Sequence, residues 1–260
     1  MTSRILLLLL SLFFALGLVL SCDTQPTQVE NGNNGDNGEE PFSHTEGPGY
    51  SAEDFLLEDR FSELIVEVQY MPGYRPLDSS LDELRDFLEE HLNKTITILE
   101  PEEIESGGQD LYSASDVRAL EEEHRRHFSE GNTLASYNLF VDGEFDQNQN
   151  VLGIAYYNTS NAYFGETIHR VTGSPPLNPS RRQIEGTVLR HEYGHLIGLV
   201  DNGVAMQEDH QENGPHCSEN ECIVYATVNT ADFFANLFDD YIPNLDDFCR
   251  ADIAAVREND

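Results

Sequence analysis

Two hydrophobic periods alternate along the middle of the chain. Leu64-Ile65-Val66-Glu67-Val68-Gln69-Tyr70 has the composition of a strand, and Met71-Pro72-Gly73 ends it. Apolar residues then recur at Leu81, Leu84, Phe87 and Leu88 behind acids in the first turn, so the pattern predicts an amphipathic helix over 80–88. Residues 95–99 alternate as a strand. A charged helix is expected over 115–128, with His124 and His127 on its solvated face. Three more strands are expected at 135–141, 151–157 and 161–164, the first followed by the turn signal Asp142-Gly143. Strand, helix, strand, helix and then strands predict an α+β fold, a twisted mixed sheet backed by helices.

Residues 1–50 do not share this patterning. Arg4 precedes an apolar run over 5–20 that ends in Val19-Leu20-Ser21-Cys22. A membrane span needs about 20 residues, and this run is shorter. A small residue before a cysteine at such a point resembles a bacterial lipobox, although Val19 and Leu20 depart from its usual Leu and smaller residue. The resemblance implies a signal peptide over 1–21, a diacylglyceryl group on Cys22 and attachment to a membrane of the bacterial cell envelope. An ordinary secretory signal and an uncleaved anchor are the other readings. Residues 22–50, rich in Asn, Gly, Pro and Glu, read as a flexible tether, leaving 51–260 as the folded domain.

The segment with the most chemical information is SRRQIEGTVLRHEYGHLIG over 180–198. Ser180 with Gln183 three residues later predicts a capping-box start, and Gly198 a stop. Between them, His191, Glu192 and His195 form H-E-x-x-H. The i, i+4 spacing puts two imidazoles on one helical face, where they can share a zinc ion, while Glu192 beside them can take a proton from an acidified water. With only 9 histidines in 260 residues, chance would produce this pattern roughly 0.03 times in such a chain.

With Gly198 the motif becomes H-E-x-x-H-x-x-G and resembles the metzincin zinc peptidases, in which a third ligand follows the glycine turn. Asp201 holds the usual third-ligand position. The run His216-Cys217-Ser218-Glu219-Asn220-Glu221-Cys222-Ile223-Val224 resembles that of archaemetzincins, whose leading histidine is the third ligand. Seventeen residues separate Gly198 from His216 where that family has two, which implies an inserted loop. His216 is the favoured third ligand, ahead of Asp201 and His210. The resemblance also places Val224 where the family has its Met-turn methionine, with Met206 a less well-placed substitute, and puts Tyr225 beside the site. It implies a metzincin-like catalytic domain with the zinc helix below the sheet, a small C-terminal helical subdomain, and a substrate held along a cleft-edge strand, expected at 161–164.

Fourteen Lys+Arg against 48 Asp+Glu give a net charge of −34, a field that repels nucleic acid. Besides Cys22 the chain has Cys217, Cys222 and Cys249. Archaemetzincins hold a second, structural zinc on four cysteines; here the fourth position is Asp252. In an oxidising envelope a disulfide is favoured over that second zinc. The expected activity is zinc-dependent hydrolysis of peptide bonds in a peptide or protein substrate, with Glu192 as general base. The alternatives are a zinc-dependent hydrolase of a non-peptide substrate and a surface lipoprotein that binds a metal or partner without turnover.

Overall fold

A computed structural model of the chain describes residues 41–173, 179–234 and 241–258. The signal segment, Cys22 and most of the expected tether lie outside them. In chain order the elements are α1 (Ala52–Leu56), β1 (Glu63–Tyr70), α2 (Asp78–His91), β2 (Thr95–Ile98), β3 (Glu102–Glu103), β4 (Leu111–Tyr112), α3 (Ala114–His124), β5 (Thr133–Val141), β6 (Glu144–Phe145), β7 (Gly153–Tyr157), β8 (Ser160–Phe164), α4 (Gly165–Val171), α5 (Arg181–Leu196), α6 (Ala231–Phe234) and α7 (Asp247–Glu258).

The main sheet runs β2-β1-β5-β8-β7, and the short β3 also pairs with β1. Every pairing is parallel except β7 with β8, which is antiparallel. Parallel neighbours need crossovers, and α2 supplies the one between β1 and β2. β7 therefore ends the sheet in the one orientation a short hairpin allows.

Two cores lie on opposite faces, as the period-2 alternation of β1 and β5 requires. Leu64, Val66 and Val68 of β1 join α2 and α5 in one cluster, while Tyr137, Leu139 and Val141 of β5 join Tyr112 and Val117 in the other. Several polar residues within the sheet are paired with α5. Tyr193 of α5 shares a 2.7 Å hydrogen bond with Ser136, and its hydroxyl also accepts from Asn138 at 3.0 Å, which ties the middle of the helix to the sheet floor. Glu185 of α5 accepts from the backbone N–H of Leu77 at 2.9 Å, at the start of α2.

The packed region begins ahead of the expected boundary at 51. Asn158 donates to Ser43 O and Ser51 Oγ, both at 2.9 Å, and its own N–H bonds Glu46 O. Residues 41–50, assigned by composition to the tether, are thus strapped onto the β7–β8 turn. Besides these hydrogen bonds, Phe42 packs against Phe61 with ring centroids 5.4 Å apart, a contact that the polar composition of the segment conceals. No helix of the described residues is long and apolar enough to cross a membrane.

Candidate metal centre and catalytic cleft

α5 spans the predicted segment, with the Ser180 side of the expected capping box in place. Ser180 Oγ accepts from Gln183 N at 3.2 Å, while the Gln183 amide donates to Tyr241 O at 2.8 Å. At the other end Gly198 has φ +85°, and a Cβ there would lie 2.7 Å from Ala52 Cβ, so the turn requires glycine. Ile184, Val188, Leu196 and Leu199 are fully buried.

Nε2 of His191 and Nε2 of His195 stand 3.1 Å apart. The loop over 201–215 returns to the helix and brings His216 against both, with ring centroids 5.4 Å from His191 and 4.9 Å from His195. Ligand atoms of the three imidazoles all lie within 4.8 Å of one another. Two nitrogens at about 2.0–2.1 Å from one zinc would be about 3.3 Å apart, so the donor set fits that ion. The outer nitrogens fix which one faces inward. His191 Nδ1 donates to Ile223 O at 2.7 Å and His216 Nδ1 to Asn213 O at 2.9 Å, because a carbonyl can only accept.

Burial pushes the His191 pKa down to about 3, aided by the neighbouring His216, and drives that of His195 well below its usual value. Burial also lowers His216. Neutral imidazoles are the form a metal takes. Asp201 is exposed, with φ +56°, and lies outside the histidine cluster.

Glu192 lies in the wall of the adjoining cleft, a space of about 260 Å³ that is also lined by His195, His216, Asn229 and Gly153 to Ala155 of β7. Burial raises its carboxyl pKa to about 8 against two bonds that lower it, from Asn229 Nδ2 at 3.3 Å and from the Ala155 N–H. A larger cavity of about 680 Å³, lined by His44, Arg118, Phe128 and Tyr157 among others, shares no residue with this cleft.

The strand at 161–164 is not the cleft edge: β8 is buried and paired on both sides, by β5 and β7. The edge facing the cleft is β7, because its hairpin with β8 puts it outermost. The expected disulfide is not formed either. Cys217, Cys222 and Cys249 are buried free thiols, with the Cys222 and Cys249 sulfurs 3.7 Å apart. Asp252, the sequence candidate for a fourth ligand, faces His210 instead, its Oδ2 2.8 Å from Nε2.

Val224 is fully buried against Gly194 of α5, where a Cβ would meet its methyl carbons at 3.2 and 3.3 Å. Met206 is half-buried and packs at the margin of the core. Tyr225 is half-buried and does not line the cleft. Sequence reasoning missed Asn229, Asn202 and Pro48 as cleft residues, since none belongs to a motif.

No protein-family profile and no curated protein matches the chain. Among solved structures it is similar to archaemetzincin from Methanopyrus kandleri, at 17% identity and a TM-score of 0.50 over 78% of this chain and 98% of that one. It is also similar to archaemetzincin from Archaeoglobus fulgidus complexed with malonate, at 15% identity and a TM-score of 0.40 over 74% and 99%. Metalloproteinase-II from Bacteroides fragilis matches at 14% identity and 0.41, over 85% and 58%. The Methanopyrus likeness shows that this chain has an archaemetzincin-like fold.

Proposed function

We propose that the protein is a zinc-dependent endopeptidase in which His191, His195 and His216 hold the catalytic metal and Glu192 is the general base. The observation that carries the reading is the convergence of three imidazoles beside the buried Glu192 carboxyl group at the wall of an open cleft. When bound, zinc would supply Lewis acidity, polarising the scissile carbonyl and acidifying a water. Glu192 accepts the proton at a carboxylate oxygen and passes it to the leaving amine nitrogen. Asn229 and the Ala155 N–H hold that carboxylate in the wall. The outer edge of β7 offers main-chain groups to an extended peptide, which favours an amide substrate over a compact non-peptide one. A metal-binding protein without turnover has no use for a buried carboxylate at this point.

The thiols of Cys217, Cys222 and Cys249 suit a second, structural zinc. The lipobox-like run supports an anchor on Cys22 that holds the enzyme at the bacterial envelope. Cys22→Ala should abolish fatty-acid labelling, and unchanged labelling would refute the anchor.

Zinc titration of single variants tests the ligand set. His216→Ala should lose zinc affinity and activity together, and Asp201→Ala should change neither by more than a few-fold. The reverse pattern would overturn the reading.

A further inference from the structure

The thiol cluster needs a fourth donor, and among the described residues Asp252, Asp246 and His210 are the candidates beside it. We infer that His210 Nδ1 completes a Cys3His zinc site with Cys217, Cys222 and Cys249, and that Asp252 orients the imidazole. The inference rests on the proposal that these thiols hold a second metal, and names the ligand that the inserted loop brings to it.

Sulfurs at about 2.3 Å from one zinc lie about 3.8 Å apart in a tetrahedron, and a sulfur and an imidazole nitrogen about 3.5 Å apart. Cys222 Sγ and Cys249 Sγ are separated by 3.7 Å, and His210 Nδ1 and Cys217 Sγ by 3.3 Å. Two opposite edges of such a tetrahedron thus already stand within a few tenths of an ångström of these lengths. Ligand atoms of His210, Cys217, Cys249 and Asp246 all lie within 4.8 Å of one another, so proximity alone does not choose between His210 and Asp246.

Orientation agrees. His210 Nε2 meets Asp252 Oδ2 at 2.8 Å, and both side chains are 1% exposed. A carboxylate behind the outer nitrogen fixes the tautomer that directs Nδ1 at a metal. The other oxygen of Asp252 accepts from Gln207 N at 2.7 Å, so this carboxylate is spent on holding His210 and its loop.

Charge separates His210 from Asp246. Three thiolates and Zn²⁺ sum to −1; a neutral imidazole leaves that value, whereas a carboxylate makes it −2 in a buried site, where unpaired charge is costly. Asp246 has another task, since its Oδ1 accepts from Cys249 N at 2.8 Å at the start of α7. Its Oδ2 contact with Cys217 Sγ, at 3.2 Å, is what a protonated thiol would make in the metal-free protein.

The test uses Co²⁺ as probe on the reduced protein, read by stoichiometry and by thiolate-to-cobalt charge-transfer absorption, neither of which needs activity. Wild type should bind two equivalents, one with a three-thiolate spectrum. His210→Ala should lose that equivalent or weaken it at least 100-fold. His210→Cys should keep it with added charge-transfer intensity. Asp252→Asn should weaken it about 10- to 100-fold without changing the spectrum, and Asp246→Asn should leave it within a few-fold. A second equivalent that survives His210→Ala unchanged, or that Asp246→Asn abolishes, overturns the assignment. A wild type that binds one equivalent overturns the second site itself while leaving the catalytic proposal standing. If the His210 variants fail to fold, wild type loaded with cadmium-113 gives the answer: scalar coupling from the metal to the His210 ring supports the assignment, and its absence contradicts it.

Discussion

The Nδ1–H of His191 donates to the carbonyl oxygen of Ile223 at 2.7 Å, and Ile223 lies between Cys222 and Val224. One backbone carbonyl therefore connects the zinc helix to the cysteine-bearing segment beneath it, and leaves Nε2 as the free lone pair. His191→Ala or His195→Ala should cut zinc affinity by at least 100-fold, because two imidazoles remain where three converged. Metal analysis after dialysis checks this; retention of a full equivalent would contradict it.

A pH effect follows from Glu192 in the metal-free protein. Its folded pKa of about 8 lies above the ordinary 4.5, so the stability it contributes is full below pH 4.5 and is lost as pH rises toward 8. The loss amounts to a few kcal/mol by linkage, on the order of one per pH unit. Glu192→Gln should remove it, so the variant gains on wild type between pH 5 and 8 in melting experiments with a chelator present. The His191 pKa moves the other way, to about 3, and its contribution is present above 6.5 and lost on acidification. That loss should be common to both proteins, and parallel curves throughout would refute the role of burial at Glu192.

Gly153 is where β7 crosses α5. A Cβ there would lie 2.9 Å from Val188 Cγ2 and 3.1 Å from Glu192 Cγ. Gly153→Ala should cost about 1–3 kcal/mol by overpacking and lower kcat by shifting Glu192. A variant with wild-type melting temperature and kcat would show that the strand and helix can separate freely.

How much of this the sequence carried depended on the kind of interaction. The helix holding His191, Glu192 and His195 was legible from cap to stop, since its ligand spacing, Ser180 and Gly198 are local signals. The strands expected at 135–141 and 151–157 were legible to within two residues of β5 (Thr133–Val141) and β7 (Gly153–Tyr157). The edge was not: periodicity cannot say which strand lies outermost, and Ser160 and Asn161 gave no sign in the sequence that 160–164 is buried throughout. His210 was read as a weak candidate for the first metal because pairing with Asp252, forty-two residues away, is a tertiary fact.

The N-terminal strap gives another test. A protein starting at residue 41 should melt as the longer chain does, whereas one starting at 51 loses the bonds from Asn158 and the cleft residue Pro48. Each lost hydrogen bond is worth about 1 kcal/mol, so the drop should reach several degrees. Gly49→Ala in the full chain should do the same, since its φ is +82° and a Cβ would fall 1.5 Å from Asn202 O. Equal melting of the two truncations would show that residues 41–50 add nothing.

The central claim is metal-dependent peptide cleavage through Glu192. A mixed peptide library, incubated with the zinc-loaded protein and read by mass spectrometry, tests it most directly. The account predicts new termini with wild type, none after chelation, and at least a 100-fold lower rate with Glu192→Gln at unchanged zinc content. A zinc-loaded wild type that leaves the library intact, or a Glu192→Gln protein that cleaves it as fast, would contradict the account.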